Sequence, residues 1–178
     1  MKAKFLLSGM LGLIGCGGLD TFPIEVTSES QVEGGSLIEQ WVGDLGFGGF
    51  LNLDISSHES LANQGIKPEQ IDSVRLTEMR LEITSPDAQD FTFIESLEFL
   101  AEAPELEQKL VAFGGPFTEG ESIIILDRTD LELAPYATAE TMSITTNVTG
   151  RRPPQDTTIK AFLRLDVDVN VTGLLSSL

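Results

Sequence analysis

The sequence predicts an all-β protein, a single antiparallel β-sandwich of Ig-like or jelly-roll arrangement with one or two short helices, behind a cleaved leader. Three observations carry this. From Thr157 onward, Ile159, Ala161, Leu163, Leu165, Val167, Val169 and Val171 fill the odd positions, while Lys160, Arg164, Asp166, Asp168 and Asn170 lie among the even ones. That period of two places alternate side chains on opposite faces of a strand. Shorter segments alternate in the same way and are separated by Gly, Pro, Asn and Asp, the residues that turn a chain between strands. Helix-start chemistry occurs in only two short stretches.

The leader comes first in the chain. Lys2 and Lys4 make a basic start, Phe5 to Ile14 is mostly apolar, and the small Gly15 precedes Cys16, the one cysteine of the protein. This is the layout of a cleaved secretory signal. An apolar run of about ten residues is half of the roughly 20 that cross a bilayer, and a lone cysteine has no partner for an internal disulfide. The residues Leu13-Ile14-Gly15-Cys16 resemble the lipobox of bacterial lipoproteins. The resemblance implies cleavage before Cys16, lipidation of Cys16, and a body anchored in the cell envelope. Gly17, where an aspartate would signal retention in the inner membrane, points to the outer membrane. The chain then divides into a signal peptide (1–15), an acylated cysteine with a short tether (16–21) and a sandwich domain (22–178). The resemblance covers the leader alone.

Charge limits the partners. With 28 acidic residues against 11 lysines and arginines the formal net charge is -17, and removal of Lys2 and Lys4 with the leader makes the body more acidic still. Such a body is repelled by nucleic acid and by anionic headgroups, so no nucleic-acid partner is expected. Acyl chains contribute about 0.8 kcal/mol per buried CH₂, and two or three of them outweigh a repulsion of about 1 kcal/mol per charge near the surface.

The body is read in order. Phe22, Ile24 and Val26 alternate with Glu25, and Pro23 suits a strand edge, so a first strand is expected over Phe22–Val26. Leu37, Ile38, Trp41, Val42 and Leu45 recur at helical spacing, while Gly43, Gly46, Gly48 and Gly49 interrupt them; a short helix and a glycine loop are expected. Trp41, Phe47 and Phe50 are read as a cap on the core, with an exposed aromatic surface as the alternative. Leu51, Leu53 and Ile55 then predict a strand over Phe50–Ser56. Ser56-Ser57-His58-Glu59 has the form of a capping box, opening a helix that stops at Gly65, and Pro68 sits at the first position of a second helical turn.

From Ser73 onward Val74 and Leu76 occupy even positions, and Met79, Leu81 and Ile83 odd ones. A bulge near Thr77-Glu78 is expected, since one extra residue inverts every later side chain. Phe91 to Phe113 reads as a hairpin turning at Ala103-Pro104-Glu105, although Glu102 to Leu110 also has a helix-favouring composition. The run Ser122–Leu126 suits a strand buried on both sides. Leu131 and Leu133 continue the sheet, and Pro135-Tyr136 closes that segment. Thr141–Thr149 alternates with Met142, Ile144 and Val148 inward. The last strand is expected to pair with it through Gly150–Asp156.

Candidate chemistry is sparse. Asp166-Val167-Asp168-Val169-Asn170 resembles the start of a calcium loop, but Val171 replaces the turn glycine and Ser177 the closing glutamate. Asp127 and Asp130 make a weaker pair. His58, the only histidine, is expected at a helix start rather than in a metal site or as a base. Glu98 and Glu102 could in principle form a glycosidase pair, yet 28 acids generate such pairs by chance. Arg151-Arg152-Pro153-Pro154 is a positive spot suited to an acidic partner, a lipid phosphate or simple solvation. No G-x-S-x-G, H-E-x-x-H, P-loop or dinucleotide-binding glycine pattern occurs. A non-enzymatic structural or protein-binding module without cofactor or metal is therefore expected. A carrier of an apolar ligand, needing an internal cavity, and a weak carboxylate-based hydrolase are the alternatives.

Overall fold

A computed structural model describes residues 20–35 and 40–170. They form two antiparallel sheets. One sheet has the strand order β1 (Thr21–Val32), β9 (Thr157–Val169), β3 (Ile71–Ser85), β6 (Ile123–Ile125). The other runs β2 (Gln40–Gly43), β8 (Ser143–Arg151), β4 (Ile94–Glu102), β5 (Lys109–Gly114), β7 (Asp127–Arg128). Strands β1 to β4 alternate between the sheets, so the order is that of a jelly roll and not of an Ig domain, in which consecutive strands pair within one sheet.

The long β9 is the centre of the first sheet. Its odd-numbered side chains from Thr157 to Val169 are all buried, facing the second sheet, and it pairs with β1 along one side and β3 along the other. Val171 lies outside the described residues. The bulge in β3 falls where the phase of the sequence inverts: the register with β9 shifts between Leu76 and Glu78, and Val74, Leu76, Met79, Leu81 and Ile83 all reach the core. The β4–β5 hairpin also forms, so strand pairing overrides the helical composition of Glu102–Leu110.

The connection after β8 corrects the expected pairing of the last two strands. β8 lies between β2 and β4, whereas β9 belongs to the opposite sheet. Residues 152–156 cross the sandwich, with Pro153 buried and its carbonyl accepting from the Gly35 N–H at 2.9 Å.

Other elements differ from the periodicity. Gln40–Gly43 is strand β2 rather than helix, since the edge of β8 supplies hydrogen bonds that a glycine-interrupted helix cannot supply for itself; residues 36–39 of that expectation lie outside the described ones. Phe50–Ser56 is not a strand. A 3-10 turn covers Gly48–Phe50, Asn52 has a φ of 53°, and only Leu53 bridges, to Met142. The first strand runs on to Val32, well past Val26. Leu131 and Leu133 do not continue the sheet, and Pro135 and Tyr136 lie inside a short helix, α2 (Ala134–Ala137). The first short helix, α1 (Glu59–Ala62), is capped by His58 and not by Ser56; Gly65, at φ 68°, ends that segment as expected.

The space between the sheets is filled. Phe99, Leu97 and Ala101 of β4 face Leu163, Leu165 and Met79 across one continuous apolar core. Phe47 and Phe50 are buried against it, their ring centroids 5.6 Å apart and Phe47 6.0 Å from Phe99, while Trp41 is half-buried at the rim. Residues 44–50 also bridge the two sheets along the side where β1 and β8 approach. There the Ser30 hydroxyl donates to the Leu45 carbonyl, Ser28 Oγ accepts from the Gly49 N–H at 2.9 Å, and Thr146 Oγ1 accepts from the Leu45 N–H at 2.7 Å. The buried hydroxyls of Ser28 and Thr146 are thus paired, as burial requires.

Candidate functional site

The first and last described residues, Asp20 and Asn170, lie at the same end of the sandwich. Thr21 lies opposite Asp168, its hydroxyl donating to that carboxylate at 2.6 Å, and the Asp20 carbonyl accepts from the Val169 N–H at 2.8 Å. Strand β1 begins at Thr21, one residue before the expected Phe22. Asp20, Glu69, Asp72 and Asp168 make this end acidic, because Asn170 bonds to the Gln70 carbonyl and brings the 69–72 segment alongside. Cys16, the expected lipidation residue, lies outside the described residues, four positions before Asp20.

The remaining sequence candidates are dispersed. His58 Nδ1 accepts from the Ser60 N–H at 3.3 Å, a helix-capping role. Asp166 lies beside Arg164 at 3.5 Å and Asp168 is engaged by Thr21, so neither is free to converge on an ion with Asn170. Asp127 and Asp130 are exposed, on β7 and in the loop after it. Glu98 and Glu102 share the outer face of β4 four residues apart, a Cα separation of about 13 Å along a strand, and both line one open groove on that face. Among the described residues no three His, Cys, Asp or Glu side chains are grouped to hold a metal ion, and no helix is long and apolar enough to cross a membrane.

Arg151 and Arg152 stand at the far end from Thr21. Arg152 donates to the carbonyl of Glu33, one residue past the end of β1, and its guanidinium lies 5.9 Å from the Trp41 ring. The 12 residues of β1 separate this spot from the chain ends by about 36 Å. Arg151 pairs loosely with Glu95 at 3.8 Å.

Three carboxylates that sequence patterns did not single out organise loops. Glu132 accepts from the Val74 N–H and Ser73 hydroxyl, each at 2.7 Å, and from the Ala134 N–H at 2.9 Å, with Arg75 3.4 Å away. Burial disfavours its charge, but these donors outweigh burial and hold its carboxyl below the ordinary carboxylate range. Asp90 accepts from the Gly120 N–H and from the hydroxyl and N–H of Thr92, which lower it likewise. Asp54 is lowered by Ser57 and, less, by Ser56. Each ties a loop to itself or to a strand, and none faces a cleft with a second acid.

The outer face of the second sheet holds an open groove of about 780 Å³, lined by Val42, Asp44, Glu98, Gln108, Thr145 and Asn147 among others. The edge of the first sheet is different. The run Ser122–Leu126, expected to be buried on both sides, presents Ile124 and Leu126 to the core, at 5% and 3% exposure, while Ile123 and Ile125 stand 52% and 71% exposed. Among the described residues its β6 pairs only with β3, and none pairs with the other side of the strand.

No family model matches the chain, and no curated protein is significantly similar to it.

Proposed function

We propose that the protein is a lipid-anchored lipoprotein of the bacterial cell envelope, held at the outer membrane through acylated Cys16, and that its sandwich is a non-catalytic structural or protein-binding module. The observation that carries this is the leader, a basic start and short apolar run closed by Leu13-Ile14-Gly15-Cys16.

The fold is compatible with that anchor and adds a geometry. Four peptide spans separate Cys16 from Asp20, which reach about 14 Å at most. The Thr21 end of the sandwich therefore sits close to the bilayer and presents Asp20, Glu69, Asp72 and Asp168 to it. Anionic headgroups repel that end, so the acyl chains supply the whole of the attachment. Arg151 and Arg152 point away from the anchoring membrane, which favours a protein partner over a lipid phosphate for that spot. The filled interior supports a module that binds by its surface over a carrier of apolar ligands.

The test is Cys16→Ala in the intact chain. Loss of fatty-acid labelling and release of the body from the membrane fraction is expected; labelling and fractionation like the wild type would contradict the anchor. The released body is expected not to bind vesicles rich in anionic lipid.

A further inference from the structure

The first sheet ends in β1 on one side and β6 on the other. Along β1 the segment 44–50 bonds to the inward-facing side chains of Ser28 and Ser30. Along β6 nothing among the described residues pairs with the outer side. Ser122 O accepts from the Ile83 N–H at 2.8 Å and the Leu126 N–H donates to Met79 O at 2.9 Å, with Ile124 opposite Leu81. Backbone groups alternate in direction along an antiparallel strand. The N–H and C=O of Ile123 and Ile125 therefore point outward, beside the two exposed isoleucine side chains. Natural edges are kept short or are protected by charge, proline or a covering element; β6 is short, with three residues, but Ile123–Ile125 carries neither charge nor proline.

The charged residues flanking this edge are Glu119 and Glu121 before it and Asp127 and Arg128 after it, all exposed; the Arg128 guanidinium is engaged by the Leu76 carbonyl at 3.0 Å, which leaves three carboxylates against one committed cation. A second copy of the chain is a poor occupant. Antiparallel self-pairing centred on Ile124 would set Glu121 opposite Asp127, and like charges directly opposed destabilise a strand pair. The complementary occupant is a strand whose apolar centre is flanked by cations.

We propose that β6 is a docking edge that accepts, by strand addition, an extended segment of another protein with alternating apolar side chains and lysine or arginine at its ends. Main-chain hydrogen bonds to Ile123 and Ile125 hold the segment, their side chains pack against its apolar positions, and Glu119, Glu121 and Asp127 select its charge. This deepens the binding-module assignment by naming the surface and the kind of partner. It is independent of acylation, so its failure leaves the anchor untouched.

The experiment uses the full mature chain in detergent and a labelled peptide of alternating valine and threonine with paired lysines at each end. A second peptide has glutamates in place of the lysines, and a third is the lysine peptide with its backbone amides N-methylated on the docking side. Fluorescence polarisation reads affinity, and amide hydrogen exchange reads the bound edge. The lysine peptide is expected to bind saturably and to slow exchange at Ile123 and Ile125, with both other peptides weaker by about tenfold or more. Ile125→Lys, which removes an exposed side chain and adds a like charge, is expected to weaken the lysine peptide by about tenfold while the melting temperature is unchanged; if that variant is destabilised, Ile125→Thr serves in its place. Equal affinity for the glutamate peptide, protection elsewhere than β6, no binding, or dimerisation of the chain through this edge would each overturn the proposal.

Discussion

Glu132 is a charged residue whose worth comes from what surrounds it. Three donors and Arg75 converge on its carboxylate, and through Val74 and Ala134 it joins the start of β3 to α2. Its side chain is 37% exposed, so solvent screens part of the effect. Glu132→Ala is expected to cost about 1–2 kcal/mol in urea unfolding, the amides of Val74 and Ala134 losing their acceptor. The pH dependence follows from the same lowering. Unfolded Glu132 titrates near its ordinary 4.5 and the folded carboxyl below it, so on acidification the unfolded chain takes up the proton first. The stabilisation is complete above the unfolded value and is lost as pH falls through the folded one. Asp54 and Asp90 act in the same direction from their ordinary 3.8. The wild type is expected to lose stability steadily below about pH 4.5, and Glu132→Gln to flatten that loss. An unchanged acid slope in the variant would contradict the role given to Glu132. Gly150 makes a steric demand instead. A Cβ there would stand 2.2 Å from the Phe93 carbonyl oxygen and 3.0 Å from the Ile94 Cα, both backbone atoms that cannot swing aside. Gly150→Ala is expected to destabilise by about 1–3 kcal/mol, read from the shift of the thermal midpoint. Neither position shows in the sequence, because each depends on atoms distant along the chain.

At the level of elements, what was legible is what the period of two encodes. β9, the bulge in β3, the β4–β5 hairpin and the inward set of β8 all follow from which face each side chain must occupy. Pairing partners do not follow from it. The joining of β9 to β1 and β3 depends on the route of residues 152–156, which alternation leaves open. Composition misled where an edge decides the outcome. Gln40–Gly43 has the spacing of a helix and becomes a strand because β8 offers it hydrogen bonds, and Ile123–Ile125 has the composition of an interior strand yet forms a rim. The bulge is the element that can be tested most sharply. Deleting Thr77 would remove the extra residue and leave Val74, Leu76, Met79, Leu81 and Ile83, which now share a face across the bulge, in unbroken alternation on that face. That deletion is expected to keep cooperative unfolding followed by circular dichroism, whereas deleting Arg80, which keeps the bulge and puts Leu81 and Ile83 out of phase with Met79, is expected to abolish it. A folded, cooperative Arg80 deletion variant would show that the phase of β3 does not depend on this alternation.

For the whole molecule, the proposed function rests on the leader more than on the fold. The sandwich brings no set of acids, histidine and cysteine together among the described residues, and the sequence motifs for common catalytic chemistries are missing from it. The proposed position rests instead on the leader, and the register sets Thr21 and Asp168 together at one acidic end of the body. The two proposals divide the molecule between them: an attachment at the Thr21 end, and a docking edge at β6 facing the surrounding envelope. The first is the premise of the second only in placing the protein, since strand addition at β6 needs no lipid. Intact mass and N-terminal fragmentation of the mature protein purified from membranes test the anchor most directly. The account predicts that the chain begins at Cys16 and carries the added mass of a diacylglyceryl thioether on that sulfur. A mature chain with an unmodified Cys16, or one that still begins at Met1, would contradict it.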